Sequence, residues 1–150
     1  MENAVKNVHG LDRLLSDFFS QDDLGRLAAD AGEILNCPLL VIDDTFHVVA
    51  HYTTPGFSDT LFEKAIQLGE ITYEAGAIIS RSPALSTGQP DFIELADSTR
   101  RRRFAPLVSA GVRLGYLICI NVDQHLQEID AATYRTVETV LSKQLFVQVG

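Results

Sequence analysis

No apolar run in this chain approaches the ~20 residues needed to cross a bilayer. The opening segment, Met1 to Gly10 (MENAVKNVHG), has no hydrophobic signal core. Positive charge is scarce too: 12 Lys and Arg stand against 20 Asp and Glu, a formal net charge of −8. That balance excludes a duplex-binding surface, which needs clustered Lys and Arg to meet phosphates. Cysteine is limited to Cys37 and Cys119, both in apolar surroundings and read as reduced core thiols of a cytosolic protein. The expected setting is cytoplasmic, with no membrane and no direct nucleic-acid contact. What remains is globular material, 46% hydrophobic and 21% charged over 150 residues. Residues 1–150 therefore read as a single domain, which at this size buries roughly 68–70% of its unfolded surface.

The N-terminal third reads as two helices. Leu11, Leu14, Leu15 and Phe18 share one face of a short first helix, while Phe19 points about 100° away from Phe18. Ser20 is the expected N-cap of the second, with Asp22 and Asp23 favouring its N-terminus. Leu24, Leu27, Ala28, Ala31, Ile34 and Leu35 then form an apolar stripe that stops at Asn36, ahead of Pro38.

A hairpin follows. Leu39 to Ile42 is a continuous apolar run, as in a strand buried on both faces, and Asp43-Asp44-Thr45 is turn chemistry. From Phe46 to Tyr52 the residues alternate, placing Phe46, Val48, Ala50 and Tyr52 together, with His47, Val49 and His51 opposite. The two histidines suggest a metal site, but four strand residues separate them by about 13 Å. Zinc holds imidazole nitrogens at about 2 Å, so spacing rejects the pair as ligands.

The middle of the chain is less regular. Ser58-Asp59 caps a helix through Leu61, Phe62, Ala65, Ile66 and Leu68, closed by Gly69. Ile71 to Ser80 fits helix or strand and is read as helix. Phe92 to Leu95 is a short strand, ahead of residues 96–99 and the run Arg100-Arg101-Arg102-Arg103. Two readings of that run stand: a solvated turn and edge that discourages aggregation, or an entry strand on which Arg103 turns toward a pocket and binds an anionic group.

The last third is the best specified. Arg103–Ser109 and Val112–Val122 form a hairpin about Ala110-Gly111, and a helix from about Glu128 to Val147 follows. Leu114, Tyr116, Ile118 and Ile120 share one face of the second strand; Gly115, Leu117, Cys119 and Asn121 share the other. Asn121 either closes a local backbone bond or reaches a ligand. The helix offers Ile129, Ala132, Val137, Val140, Leu141 and Leu145 as its apolar face.

Asn36-Cys37-Pro38-Leu39-Leu40-Val41-Ile42-Asp43 resembles the opening of the GAF-like sensory domain of PucR-type bacterial transcriptional regulators. Phe104 to Val108, Gly111 and Leu114-Gly115-Tyr116-Leu117 resemble that family's closing hairpin, and Asp130 with its helix the family's end. The resemblance spans roughly residues 10 to 147. It implies a GAF/PAS-like α+β fold: a five- or six-stranded antiparallel sheet, terminal helices on one face, and a helical crossover over the other. In such proteins a DNA-binding domain usually follows, and this chain stops before one. The cyclic-nucleotide signature and chromophore cysteine of some GAF domains are absent.

The function implied is sensing of an unknown small-molecule effector, without enzymatic activity and without a cofactor. The expected partner is a second copy through the terminal helices. Candidate ligand contacts on the crossover and sheet are Tyr52, Phe62, Tyr73, Arg81, Phe92 and Arg103. Two alternatives remain: a thiol-dependent reductase of free methionine sulfoxide using Cys37 or Cys119, and a dimerisation scaffold without a ligand.

Overall fold

The computed structural model describes residues 2–20, 23–81, 88–94, 101–122 and 125–149. Helix α1 (Glu2–Phe19) is longer than the stripe from Leu11 to Phe18 suggested, reaching back through Val8 and Val5 to Glu2. Leu14 is fully buried on the described part of this helix, and Leu11, Leu15 and Phe18 pack beside it. Helix α2 (Leu24–Leu35) is capped by Asp23 rather than Ser20: the Asp23 carboxylate accepts the Arg26 N–H at 2.9 Å. Ser20 instead completes α1, its N–H donating to the Ser16 carbonyl. Asn36 closes α2 at a positive φ of 51°, one of the few conformations Asn accepts readily.

Strands β1 (Leu39–Asp43), β2 (Val48–Tyr52), β3 (Asp91–Glu94), β4 (Arg101–Ser109) and β5 (Val112–Ile120) form one antiparallel sheet in the order β2-β1-β5-β4-β3. The β4–β5 turn has positive φ at both central residues, Ala110 (53°) and Gly111 (76°), the twist that two-residue hairpins require. Gly115 is obligatory, since a Cβ there would overlap the Ile42 carbonyl oxygen of β1.

Two bulges redirect side chains that simple alternation misplaces. Val41 pairs with Ala50 and Ile42 with Val48, so Val49 is the extra residue of β2. Ala50 and Tyr52 therefore face the helices, while Val48 and Phe46 face the crossover. On β5, Gly115 pairs with Leu107 and Arg113 with Val108, leaving Leu114 extra and turned toward the helices, away from Tyr116, Ile118 and Ile120.

Helices α1, α2 and the C-terminal α5 (Ala131–Val149) cover one face around Leu39, Val41, Leu107, Leu117 and Cys119. Helix α5 starts later than expected: a 3-10 turn (Leu126–Glu128) precedes it, and Asp130 accepts the Thr133 N–H at 2.7 Å. Val137, Val140, Leu141 and Leu145 are buried as read, whereas Ala132 is exposed. The other face is covered by α3 (Thr60–Leu68) and α4 (Tyr73–Ser80), against Leu40, Ile42, Phe104 and Ile118. Among the described residues no helix is long and apolar enough to cross a membrane.

One buried carboxyl sits between α1 and α2. Asp30 is 4% exposed, and its Oδ2 has no hydrogen-bond partner among the described residues. Burial, then the hydrogen bond and charge of Asp17 on α1, push its carboxyl from 3.8 up to about 7, against the pull of Arg26. The native state thus retains a proton that the unfolded chain releases between those values. Stability from this group is full at low pH and is lost as pH rises through the native value. Urea midpoints should fall between about pH 5 and about pH 8, and Asp30→Asn should flatten that fall.

Candidate functional site

The crossover helices are locally well determined. Asp59 caps α3 by accepting the Phe62 N–H at 3.0 Å, and Gly69 ends it at φ 76°. Thr72 caps α4 by accepting the Ala75 N–H at 3.3 Å. Between these helices and the sheet lies a cavity of about 30 Å³, bordered by Leu40, Phe62, Ile79, Ile118 and Ile120 with Arg102. That volume admits about two water molecules, far below the roughly 300–1,000 Å³ of ordinary ligand pockets. Ile71 and Thr72 form a wall shared with an open groove of about 420 Å³, bounded by Phe46, Glu70, Tyr73 and Gly76.

One buried ion pair joins roof to floor. Arg102 Nη2 donates to Asp59 Oδ1 at 2.7 Å, with side chains 3% and 4% exposed. The same Oδ1 accepts the Phe62 N–H, so a single oxygen holds both the first turn of α3 and a guanidinium of β4. In a low-dielectric site such charge-assisted bonds are strong, and an orphaned partner is costly.

The structure separates the six candidate residues. Phe62 borders the inner cavity, and Tyr73, 89% exposed, borders the outer groove. Arg81 is the exposed C-cap of α4. Tyr52, Phe92 and Arg103 lie on the opposite face, among the terminal helices. The expectation that Arg103 turns toward the crossover is corrected: the residue doing so is Arg102. The strand period carries the signal, because Phe104 packs on the crossover side and Arg102 stands two residues before it. Neither is in a solvated turn; Arg101 is exposed and lies 5.8 Å from the Phe92 ring centre. Arg100, Leu95 and residues 96–99 lie outside the described residues.

Arg103 belongs to a second polar cluster. It donates to Glu138 Oε2 at 2.7 Å and lies 3.6 Å from the centre of the Tyr134 ring. Burial pushes the Glu138 carboxyl up, against the pull of Arg103. Cys37 and Cys119 are fully buried on the same face, and the Cys119 thiol, followed by burial, holds the Cys37 thiol well above its ordinary value. Asn121 takes the local option: its Oδ1 accepts the Leu126 N–H and its Nδ2 donates to Gln127. His47 and His51 are exposed, and His47 meets Thr45 Oγ1 at 2.7 Å.

Asp59→Ala removes the carboxylate of Arg102 and the cap of α3 together. The expected cost is about 3–5 kcal/mol for the orphaned charge, plus about 1 kcal/mol for the cap. Asp59→Asn keeps a capping oxygen and should lose less. Equilibrium urea unfolding of both variants tests this order; a wild-type midpoint for Asp59→Ala would refute it.

No family model matches this chain, and no curated protein matches it. Solved structures do. The GAF domain of a phosphoenolpyruvate-protein phosphotransferase from Coxiella burnetii matches with a TM-score of 0.64 at 16% identity, covering 98% of this chain and 96% of that one. The corresponding GAF domain from Acinetobacter gives 0.59 at 10% identity, over 95% and 94% of the two chains. The cofactor binding GAF domain of the nutrient sensor CodY from Clostridium difficile gives 0.56 at 13% identity, over 87% and 92%. The fold of this chain is that of a GAF domain.

Proposed function

We propose that this domain is the sensory unit of a bacterial transcriptional regulator of the PucR type, binding a small metabolite between sheet and crossover. The observation that carries the reading is the roof of two short helices fastened to the sheet by the buried Arg102–Asp59 pair over a small apolar cavity. A roof fastened in this way can take up two arrangements, and a ligand acts through its different affinity for each, commonly by about 1–3 kcal/mol. Similarity to the cofactor binding GAF domain of a nutrient sensor supports the same reading.

The domain acts in the cytoplasm without catalysing a reaction, and its acidic balance leaves DNA contact to another domain. Buried thiols, one of them held protonated, suit packing better than a reductase, which needs an accessible thiolate. The output passes through the terminal helices, which also pair two copies. Phe19 on α1 is 76% exposed and Val147 on α5 is 69% exposed, apolar surface that a second copy would cover.

A metabolite library screened by thermal shift should yield at least one compound that raises Tm in a concentration-dependent way. A library without any such compound would remove the sensor reading. Light scattering at tens of micromolar should give the dimer mass, and Phe19→Asp should shift the protein toward monomer; a monomeric wild type would end the pairing proposal.

A further inference from the structure

We propose that the inner cavity receives a small carboxylate carried on a compact apolar body, by exchange with Asp59 on Arg102. This rests on the sensor reading and names the chemical class of its ligand. Leu40, Phe62, Ile79, Ile118 and Ile120 supply apolar walls, and Arg102 and Thr72 supply the polar side chains. Thr72 Oγ1 already caps α4 through the Ala75 N–H, so Arg102 is the group with specificity to offer.

Charge decides between ligand classes. A cation entering this space meets the guanidinium of Arg102. A neutral molecule leaves the Arg102–Asp59 pair intact and must fit about 30 Å³, room for about two waters. A carboxylate can take the place of Asp59 on the guanidinium, and the buried charge stays balanced throughout. Asp59 is then released toward solvent, where a carboxylate is well hydrated.

The exchange also makes the space it needs. Asp59 Oδ1 holds the α3 N-terminus to Arg102, so a ligand that replaces it loosens the first turn of the helix above the cavity. An apolar body can then occupy the volume that α3 vacates. The route in is the open groove, which shares only the Ile71–Thr72 wall with the cavity. Binding and roof movement are one event, as a sensor requires.

The test titrates wild-type protein with benzoate and 4-methylpentanoate, and separately with benzamide and 4-methylpentanamide. The readout is methyl NMR of Ile79, Ile118 and Ile120. The acids should shift these signals saturably, and the amides should bind at least about tenfold more weakly. Asp59→Asn, which takes the Asp59 carboxylate out of the competition, should bind the acids about tenfold more tightly and gain more Tm from them than wild type. Arg102→Met should lose the preference for acid over amide. Amides binding as well as acids would overturn the carboxylate assignment and keep the sensor reading. If neither series moves the methyl signals, the assignment falls, and the sensor reading then rests on the wider metabolite screen alone.

Discussion

Strand β4 buries two adjacent guanidiniums, and the strand period sends them to opposite faces of the sheet. Arg102 meets Asp59 of the crossover, and Arg103 meets Glu138 of the terminal-helix layer. A buried cation costs several kcal/mol unless it is paired, so each layer is fixed to the sheet by the partner it supplies. The register of β4 and the identity of both covering layers are therefore specified together. A slip of one residue would turn both arginines to the other layer and send Phe104 and Leu107 out of the cores they fill. In a chain of net charge −8, these two cations are placed where their loss would be felt on both sides.

The GAF-type frame is shared with structures of 10–16% identity. On the sensor reading proposed above, the ligand sits between sheet and crossover. What the ligand must look like is set by the few side chains that reach that space. Here they are aliphatic and aromatic, with the Thr72 hydroxyl and one guanidinium paired to the residue that caps a helix of the roof. In the proposed exchange, recognition and movement depend on the same atoms.

Much of the fold was legible in the sequence because its signals are local. The stripe of α2, the Asp59 and Gly69 ends of α3, the Ala110-Gly111 turn and the apolar runs of β1 and β5 depend on neighbours within a few residues. Facing was less legible wherever a bulge intervened. Val49 and Leu114 each add one residue to a strand, and alternation read straight through them grouped Ala50 and Tyr52 with Phe46 and Val48, and Leu114 with Tyr116, where the bulges divide both sets between the two faces. The site was legible only in outline. An arginine run announces charge but not parity, and the partner of Arg102 lies 43 residues away, beyond any local pattern. Phe104, an apolar residue whose side is set by the core, was the nearest guide to that parity.

Helix α3 is tethered at both ends, and the two tethers are unlike. At its start a charged side chain joins it to Arg102; at its end the Gly69 carbonyl accepts the Val48 N–H of β2 at 2.9 Å. The second tether is backbone and holds whatever occupies the cavity. If the first lets go, α3 pivots about its C-terminal end rather than lifting away. A nine-residue helix is a lever of about 13 Å, so a small rotation at Gly69 becomes a displacement of several ångströms at Asp59. Motion released in that way is angular, largest beside β4 and smallest beside β2.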